Sequence, residues 1–285
     1  MDRNIARDML EREKGQTAPA AEIGQGHAET QVDSPMEGDG MKFTKKLGLS
    51  GIAVLVCTAS IAGRANAQSS GSMQLGVGWL HVMPQGHADP IVVDSIAGAP
   101  VNRQQSGTGA HAGAADAASL MAEYFVTDSI GVAFLAGTPF TTDLIGNNAL
   151  ASFGVIGKTK PLAPVLEVRY HFLAADAKFR PFVGLGVNYT WYSDTRIVND
   201  AFRNATCGPG CSTRASLSAS WNPTFELGAN YALGKHWSIN ASLSYIPLST
   251  TLTTHATTAT GVDIATKMRI KVNPLVTHLD LAYTF

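Results

Sequence analysis

The stretch FRPFVGLGVNYTWY, residues 179–192, decides the fold. Side chains of a strand point alternately to its two faces. Read at that period, Phe179, Pro181, Val183, Leu185, Val187, Tyr189 and Trp191 share one face, and Arg180, Phe182, Gly184, Gly186, Asn188, Thr190 and Tyr192 share the other. A soluble sandwich would bury the first face against a second sheet. Here aromatics stand at both ends of that face with aliphatics between them, which is the pattern of a strand crossing a bilayer.

Working outward, the same alternation recurs in eight segments, approximately 72–83, 117–127, 129–139, 162–173, 179–192, 219–233, 236–250 and 266–285. Short turns near 127–129, 174–178 and 234–235 alternate with long links at 84–116, 140–161, 193–218 and 251–265, which are rich in Gly, Thr, Asn and Ala. An even strand number with short turns at one end and long loops at the other predicts an all-β fold, an eight-stranded antiparallel up-and-down transmembrane β-barrel. Closure follows because hydrocarbon cannot satisfy an open sheet edge. The final segment places Leu275, Leu279, Leu281, Tyr283 and Phe285 outward, with the terminal Phe285 expected to be read by the barrel-assembly machinery.

Bulk composition agrees with a membrane barrel. Only 15% of the 285 residues are charged, against roughly 25% in an average soluble domain. A net charge of -1 and the lack of a basic run interleaved with aromatics argue against a nucleic-acid partner. The one long apolar run, near residues 47–62, excludes a multi-helix membrane protein. Residues 1–40 are polar and offer no apolar face, so they read as a disordered extension that precedes the true start at Met41. Residues 41–67 read as a signal peptide, with Lys42, Lys45 and Lys46 before the apolar run and Ala65-Asn66-Ala67 as the cleavage site. The barrel then spans 68–285, with both termini expected on the periplasmic side. Cys57 is not a lipidation site, because Val56 before it is not small.

The inward face carries apolar Met121, Phe125, Leu135, Phe182, Ile246 and Leu248, together with Glu123, Glu167, Arg169, Arg180, Glu226, His278 and Asp280. Eight strands enclose a space just wide enough for side chains to fill. Buried charge is tolerable only when paired, so charges pairing across a plugged lumen are favoured over a continuous aqueous pore. Cys207 and Cys211 bracket Gly208-Pro209-Gly210, and an oxidising compartment favours a disulfide between them. A metal site would need two further ligands that no nearby His or Cys supplies, and no cofactor is expected. In the last segment Lys267, Arg269 and Lys271 share the outward parity of Phe285. Counting about 2.3 Å per tilted residue puts them above the hydrocarbon, facing lipopolysaccharide phosphates. The competing account is a solvated extension, with Pro274 marking a bulge that switches parity.

Several blocks resemble the OmpW family of small outer-membrane proteins: MAEYFVTDSIGVAFLAGTPF at 121–140, GVIGKTKPLAPVLEVRYHF at 154–172, KFRPFVGLGVNYT at 178–190, WNPTFELGANYAL at 221–233 and the Tyr283-Thr284-Phe285 end. The entry Ser220-Trp221-Asn222-Pro223 and the cysteine pair depart from the usual family pattern. The resemblance implies an eight-stranded barrel acting as a narrow channel for small hydrophobic molecules across the outer membrane, with receptor roles in some members. The alternative is a structural, stress-adaptive or receptor barrel with a plugged lumen and no transport. An enzyme is disfavoured, since no G-x-S-x-G elbow, H-E-x-x-H or paired metal-ligand spacing occurs. A soluble lipocalin-like barrel would invert the two faces. Lipid, lipopolysaccharide and a small apolar solute are thus the expected partners.

Overall fold

The computed structural model describes residues 68–285. The expected extension at 1–40 and signal peptide at 41–67 lie outside the described residues. In chain order the strands are β1 (Met73–Met83), β2 (Val92–Ile96), β3 (Ala99–Gln104), β4 (Thr108–Ala112), β5 (Ala115–Phe125), β6 (Ile130–Gly137), β7 (Thr142–Asn148), β8 (Val155–Leu162), β9 (Val165–His171), β10 (Phe179–Ile197), β11 (Ser212–Leu217), β12 (Ser220–Ala232), β13 (Trp237–Tyr245), β14 (Ser249–Thr257), β15 (Asp263–Lys271) and β16 (Leu275–Thr284). A short helix, α1 (Asp200–Cys207), lies between β10 and β11 and is capped by the Asn199 side chain, which accepts from the Phe202 amide at 2.8 Å.

Eight of these strands close a barrel in the order β1-β5-β6-β9-β10-β12-β13-β16, with β16 pairing back onto β1 and every pairing antiparallel. Their outward faces form two aromatic girdles. Near the short turns Phe179 lies opposite Tyr231, Trp237 opposite Tyr283, and Met73 opposite Tyr124. At the other rim stand Tyr189 opposite Trp221, Phe225 opposite Tyr245, and Trp79. Between the girdles are exposed aliphatics such as Leu185 and Leu227, 60% and 61% exposed on the isolated chain. Such a band is stable only in contact with lipid.

The long links, expected as loops, are largely strand. They carry β2, β3, β4, β7, β8, β11, β14 and β15, which build an upper tier beyond the second girdle. One sheet there runs β11-β14-β15-β2-β3, and the other continues from the far end of β10 through β8 and β7 to β4. The segments expected at 236–250 and 266–285 are accordingly each split in two, at 246–248 and 272–274. Prolines explain most of the breaks. Pro84, Pro139, Pro164, Pro247 and Pro274 all fall between tiers, where a residue without an N–H donor interrupts the ladder. The upper tier has its own core, in which Ala88, Ala110, Leu150, Ile156, Leu252, Met268 and Ile270 converge. Pro274 does not switch parity: Lys267, Arg269 and Lys271 point outward in β15, as Leu279 and Leu281 do in β16.

Candidate functional site: a chamber above a closed floor

Inside the barrel three layers follow one another from the turn end upward. The first is an amide cluster. Gln74 in β1 donates to Ser238 Oγ at 3.0 Å and Thr284 Oγ1 at 3.2 Å, and its Oε1 accepts from Asn240 at 3.1 Å and Asn230 at 3.3 Å.

The second layer is built on Arg169 of β9, which is buried. Its guanidinium reaches Glu167 at 2.7 Å, Glu123 of β5 at 3.0 Å and Glu226 of β12 at 2.9 Å. His171 Nε2 lies 2.6 Å from the other Glu123 oxygen, and Phe125 and Phe182 pack against the His171 ring. Arg169 also stacks over Phe182, with its Cζ 4.7 Å from the ring centre. One cation thus ties strands from three sectors of the wall together across the lumen. Glycine makes room for this: a Cβ on Gly131 would collide with the Glu123 carboxylate, and one on Gly186 would collide with the Leu166 carbonyl and the Glu167 side chain.

Not every charge expected in the network belongs to it. Arg180 sits lower, where it donates to Gln68 Oε1 at 3.0 Å and to the Asp128 carbonyl. Asp280 accepts from Ser119, and His278, buried on β16, interacts electrostatically with both Asp280 and Glu226, so His278 and Asp280 stay within reach of the network without a direct bond to Arg169. His171 and Gln74 were missing from the expected site. Both carry the inward parity, and what concealed them was that their partners lie 48 and more than 150 residues away in sequence.

The third layer is a cavity of about 150 Å³. Of the apolar residues expected to line the lumen, Leu135, Ile246 and Leu248 border it, joined by Leu80, Val165 and Val276. Met121 instead packs lower, with Leu135, Ala133 and Ala282, while Phe125 and Phe182 flank the charged layer. Tyr192 borders the cavity from the upper tier, and burial, partly offset by a hydrogen bond to Thr250, pushes its phenol up to about 12, so it stays neutral.

One stretch of the wall beside the cavity is not closed by a ladder. The β6–β9 ladder ends at Leu135 opposite Val165, and the β7–β8 ladder begins at Thr142 opposite Thr159. Between these limits no ladder pairs residues 136–141 with 160–164. The exposed residues Gly137, Thr138 and Ala163 on the two sides of this gap also line the cavity. The gap lies just beyond Phe134, at the level of the second girdle.

In the upper tier the sulfurs of Cys207 and Cys211 are joined, at the end of α1 beside Ala256 and Ile264. Lys267 pairs with Asp94 at 3.0 Å and Lys271 with Asp89 at 3.3 Å, while Arg269 has no ion-pair partner among the described residues. Among those residues no group of His, Cys, Asp and Glu is arranged to hold a metal.

The OmpW family profile matches residues 69–285. The chain belongs to the OmpW family. It is 31% identical over 241 residues to outer membrane protein W of Vibrio cholerae, covering 84% of this chain and all of that one. Its fold superposes on the crystal structure of the outer membrane protein OprG from Pseudomonas aeruginosa with a TM-score of 0.67 at 28% identity, covering 77% of this chain and 98% of that one. A more distant relative, 26% identical over 162 residues (57% of this chain and 68% of the other), is the dibenzothiophene metabolism operon protein PahQ of Pseudomonas aeruginosa. This OmpW-family chain is therefore an outer-membrane β-barrel whose exposed belt faces lipid. Its two girdles mark the limits of the hydrocarbon on that barrel.

Proposed function

We propose that this OmpW-family barrel passes small hydrophobic molecules across the lipopolysaccharide leaflet and releases them sideways into the membrane, without catalysis. One observation carries the reading: the apolar chamber sits on a closed floor and is lined by exposed residues, Gly137, Thr138 and Ala163, on both sides of the unpaired stretch between residues 136–141 and 160–164. Arg169 and its three carboxylates obstruct an axial aqueous route. An apolar solute leaving at the second girdle enters lipid without recrossing water, so its burial is retained along the whole path. The relative named for a dibenzothiophene operon supports an apolar aromatic cargo. The short turns and both termini are taken as periplasmic, with Phe285 as the signal to the assembly machinery. Lys267, Arg269 and Lys271 face the phosphates of the surrounding lipopolysaccharide.

Vesicles with lipopolysaccharide in the outer leaflet only, containing the purified barrel, test the proposal through uptake of radiolabelled naphthalene. Uptake is expected to exceed that of protein-free vesicles, with no single-channel ion conductance, and Ala163→Trp is expected to abolish the excess while the barrel stays folded. Naphthalene entry no faster than in protein-free vesicles would leave the barrel a structural or receptor element, the role that its closed floor also suits. Excess uptake unaffected by Ala163→Trp would reject the sideways route.

A further inference from the structure

We infer that the outer face of β11, β14 and β15 in the upper tier is a docking surface for the phosphorylated sugars of the surrounding lipopolysaccharide, above its acyl chains. The inference rests on the reading that this tier faces outward and that the β15 cations meet lipopolysaccharide, and it adds the saccharide as what is recognised.

Register lays these side chains out as a grid. Ser216 of β11, Thr253 of β14 and Lys267 of β15 form one row, Arg214 stands opposite His255 on one side of it, and Thr251 stands opposite Arg269 on the other. The alternate side chains, Leu252, Ala256, Met268 and Ile270 among them, are buried beneath. On the outer face of the three strands Ala265 is the only hydrocarbon side chain, and Asp263, to which Thr257 donates at 2.7 Å, is the only carboxylate. Lys267 and Lys271 are paired with Asp94 and Asp89, which leaves Arg214 and Arg269 without an ion-pair partner among the described residues. Paired strands stand about 4.8 Å apart and same-face neighbours about 6.7 Å apart along a strand, so these two arginines are roughly 16 Å from each other. Between them lie the hydroxyls of Ser216, Thr251 and Thr253, none of which is used in a side-chain hydrogen bond among the described residues.

Position and chemistry name the occupant. β11 leads into β12, β13 into β14 and β15 into β16 with at most three residues between them, so the face continues upward the wall that lower down presents Phe225, Tyr245 and Leu279 to lipid. Above the second girdle that wall is bordered by the sugar and phosphate layer of the same leaflet. Acyl chains are excluded, since they would desolvate hydroxyls and guanidinium groups without replacing their hydrogen bonds. A protein partner is disfavoured as well, because stable protein interfaces centre on buried aromatic or aliphatic anchors and this face has none. A phosphorylated sugar answers every group. Its hydroxyls donate to and accept from those of Ser and Thr, and its phosphates take paired hydrogen bonds from the planar fork of Arg214 or Arg269. Two such cations spaced by hydroxyls suit phosphates separated by sugar rings rather than one isolated anion.

The test places the full barrel in phospholipid nanodiscs free of lipopolysaccharide and titrates it with the phosphorylated core oligosaccharide freed of its lipid. Saturable binding is expected, weakened about fivefold by Arg214→Gln, the scale of an exposed ion pair, and about threefold by Thr253→Val, the scale of one hydrogen bond. Lys235→Gln, on a short turn at the opposite rim, should leave it unchanged. Removing the phosphates should weaken binding, and inorganic phosphate alone should bind far more weakly than the oligosaccharide. Absence of saturable binding would overturn the docking surface: if Arg269→Gln still lowered co-purified lipopolysaccharide, the phosphate reading of β15 would stand without it, and if not, both would fall. Binding indifferent to Arg214→Gln and Thr253→Val, or weakened equally by Lys235→Gln, would place the saccharide elsewhere and reject the face. Inorganic phosphate binding as tightly as the oligosaccharide would reject it too. A side-by-side dimer in the sugar-free discs that Arg214→Gln dissolves would give the face to a second copy and likewise reject the proposal.

Discussion

At the scale of single residues, Arg169 is where stability and function meet. Three acidic side chains share one guanidinium in a water-poor lumen, with Glu167 and Glu226 also hydrogen-bonded to each other, and removing the guanidinium leaves buried carboxylate charge uncompensated. Arg169→Ala is therefore expected to lower stability by about 3–5 kcal/mol in urea unfolding from bilayers, a loss far beyond that of the deleted packing. It should also admit water into the floor and raise ion conductance. Parent-like unfolding together with parent-like conductance would show that the network neither braces the barrel nor seals it. The inward parity of Glu123, Glu167, Arg169 and Glu226 was legible in the sequence because parity is a local property of a strand. Which of the inward charges touch was not legible, since it depends on how closure brings β5, β9 and β12 around one axis. Arg180 and Arg169 look alike in sequence, yet Arg180 ends up binding Gln68 and the turn below.

At the scale of elements, alternation identified the barrel strands because lipid demands an apolar outward face. In the upper tier that demand lapses. β3, APVNRQ, is exposed throughout, and β14, STTLTTHAT, carries hydroxyls where a lipid-facing strand would carry aliphatics. Such strands look like loops to a reader of hydrophobicity, and their pairing emerges only from the register of the strands beneath them. β15 shows what the outer face does at that height. Two of its three cations spend their charge on Asp94 and Asp89, so Arg269 is the one best placed to hold a phosphate, with a planar fork suited to it. Arg269→Gln should thus reduce co-purified lipopolysaccharide by more than Lys267→Gln or Lys271→Gln, read as phosphate per mole of barrel. Equal lipopolysaccharide content in all three variants and the parent would reduce β15 to a solvated extension.

At the scale of the whole molecule, the ring of pairings closes only if the first and last strands meet, and they do so over ten residue pairs from Gln74 opposite Thr284 to Met83 opposite Leu275. The segment that leads into β1 is tied just as firmly. The Gly71 amide donates to the Phe125 carbonyl at 2.8 Å, Ser70 donates to Asp128 at 2.8 Å, and Gln68 is buried with both its carbonyl and its side-chain oxygen accepting from Arg180. Gln68 is also the first residue after Ala65-Asn66-Ala67, the stretch proposed as the processing site. Cleavage there keeps every one of these contacts, whereas cleavage three residues later would strip Arg180 of an acceptor inside the lumen and cost roughly 1–3 kcal/mol. Intact mass and N-terminal sequencing of the barrel from outer membranes are accordingly expected to give a chain beginning at Gln68. A chain that still carried residues 1–67 in the membrane, or one trimmed beyond Ser70 with unchanged stability, would refute this account of how export and the barrel floor are matched.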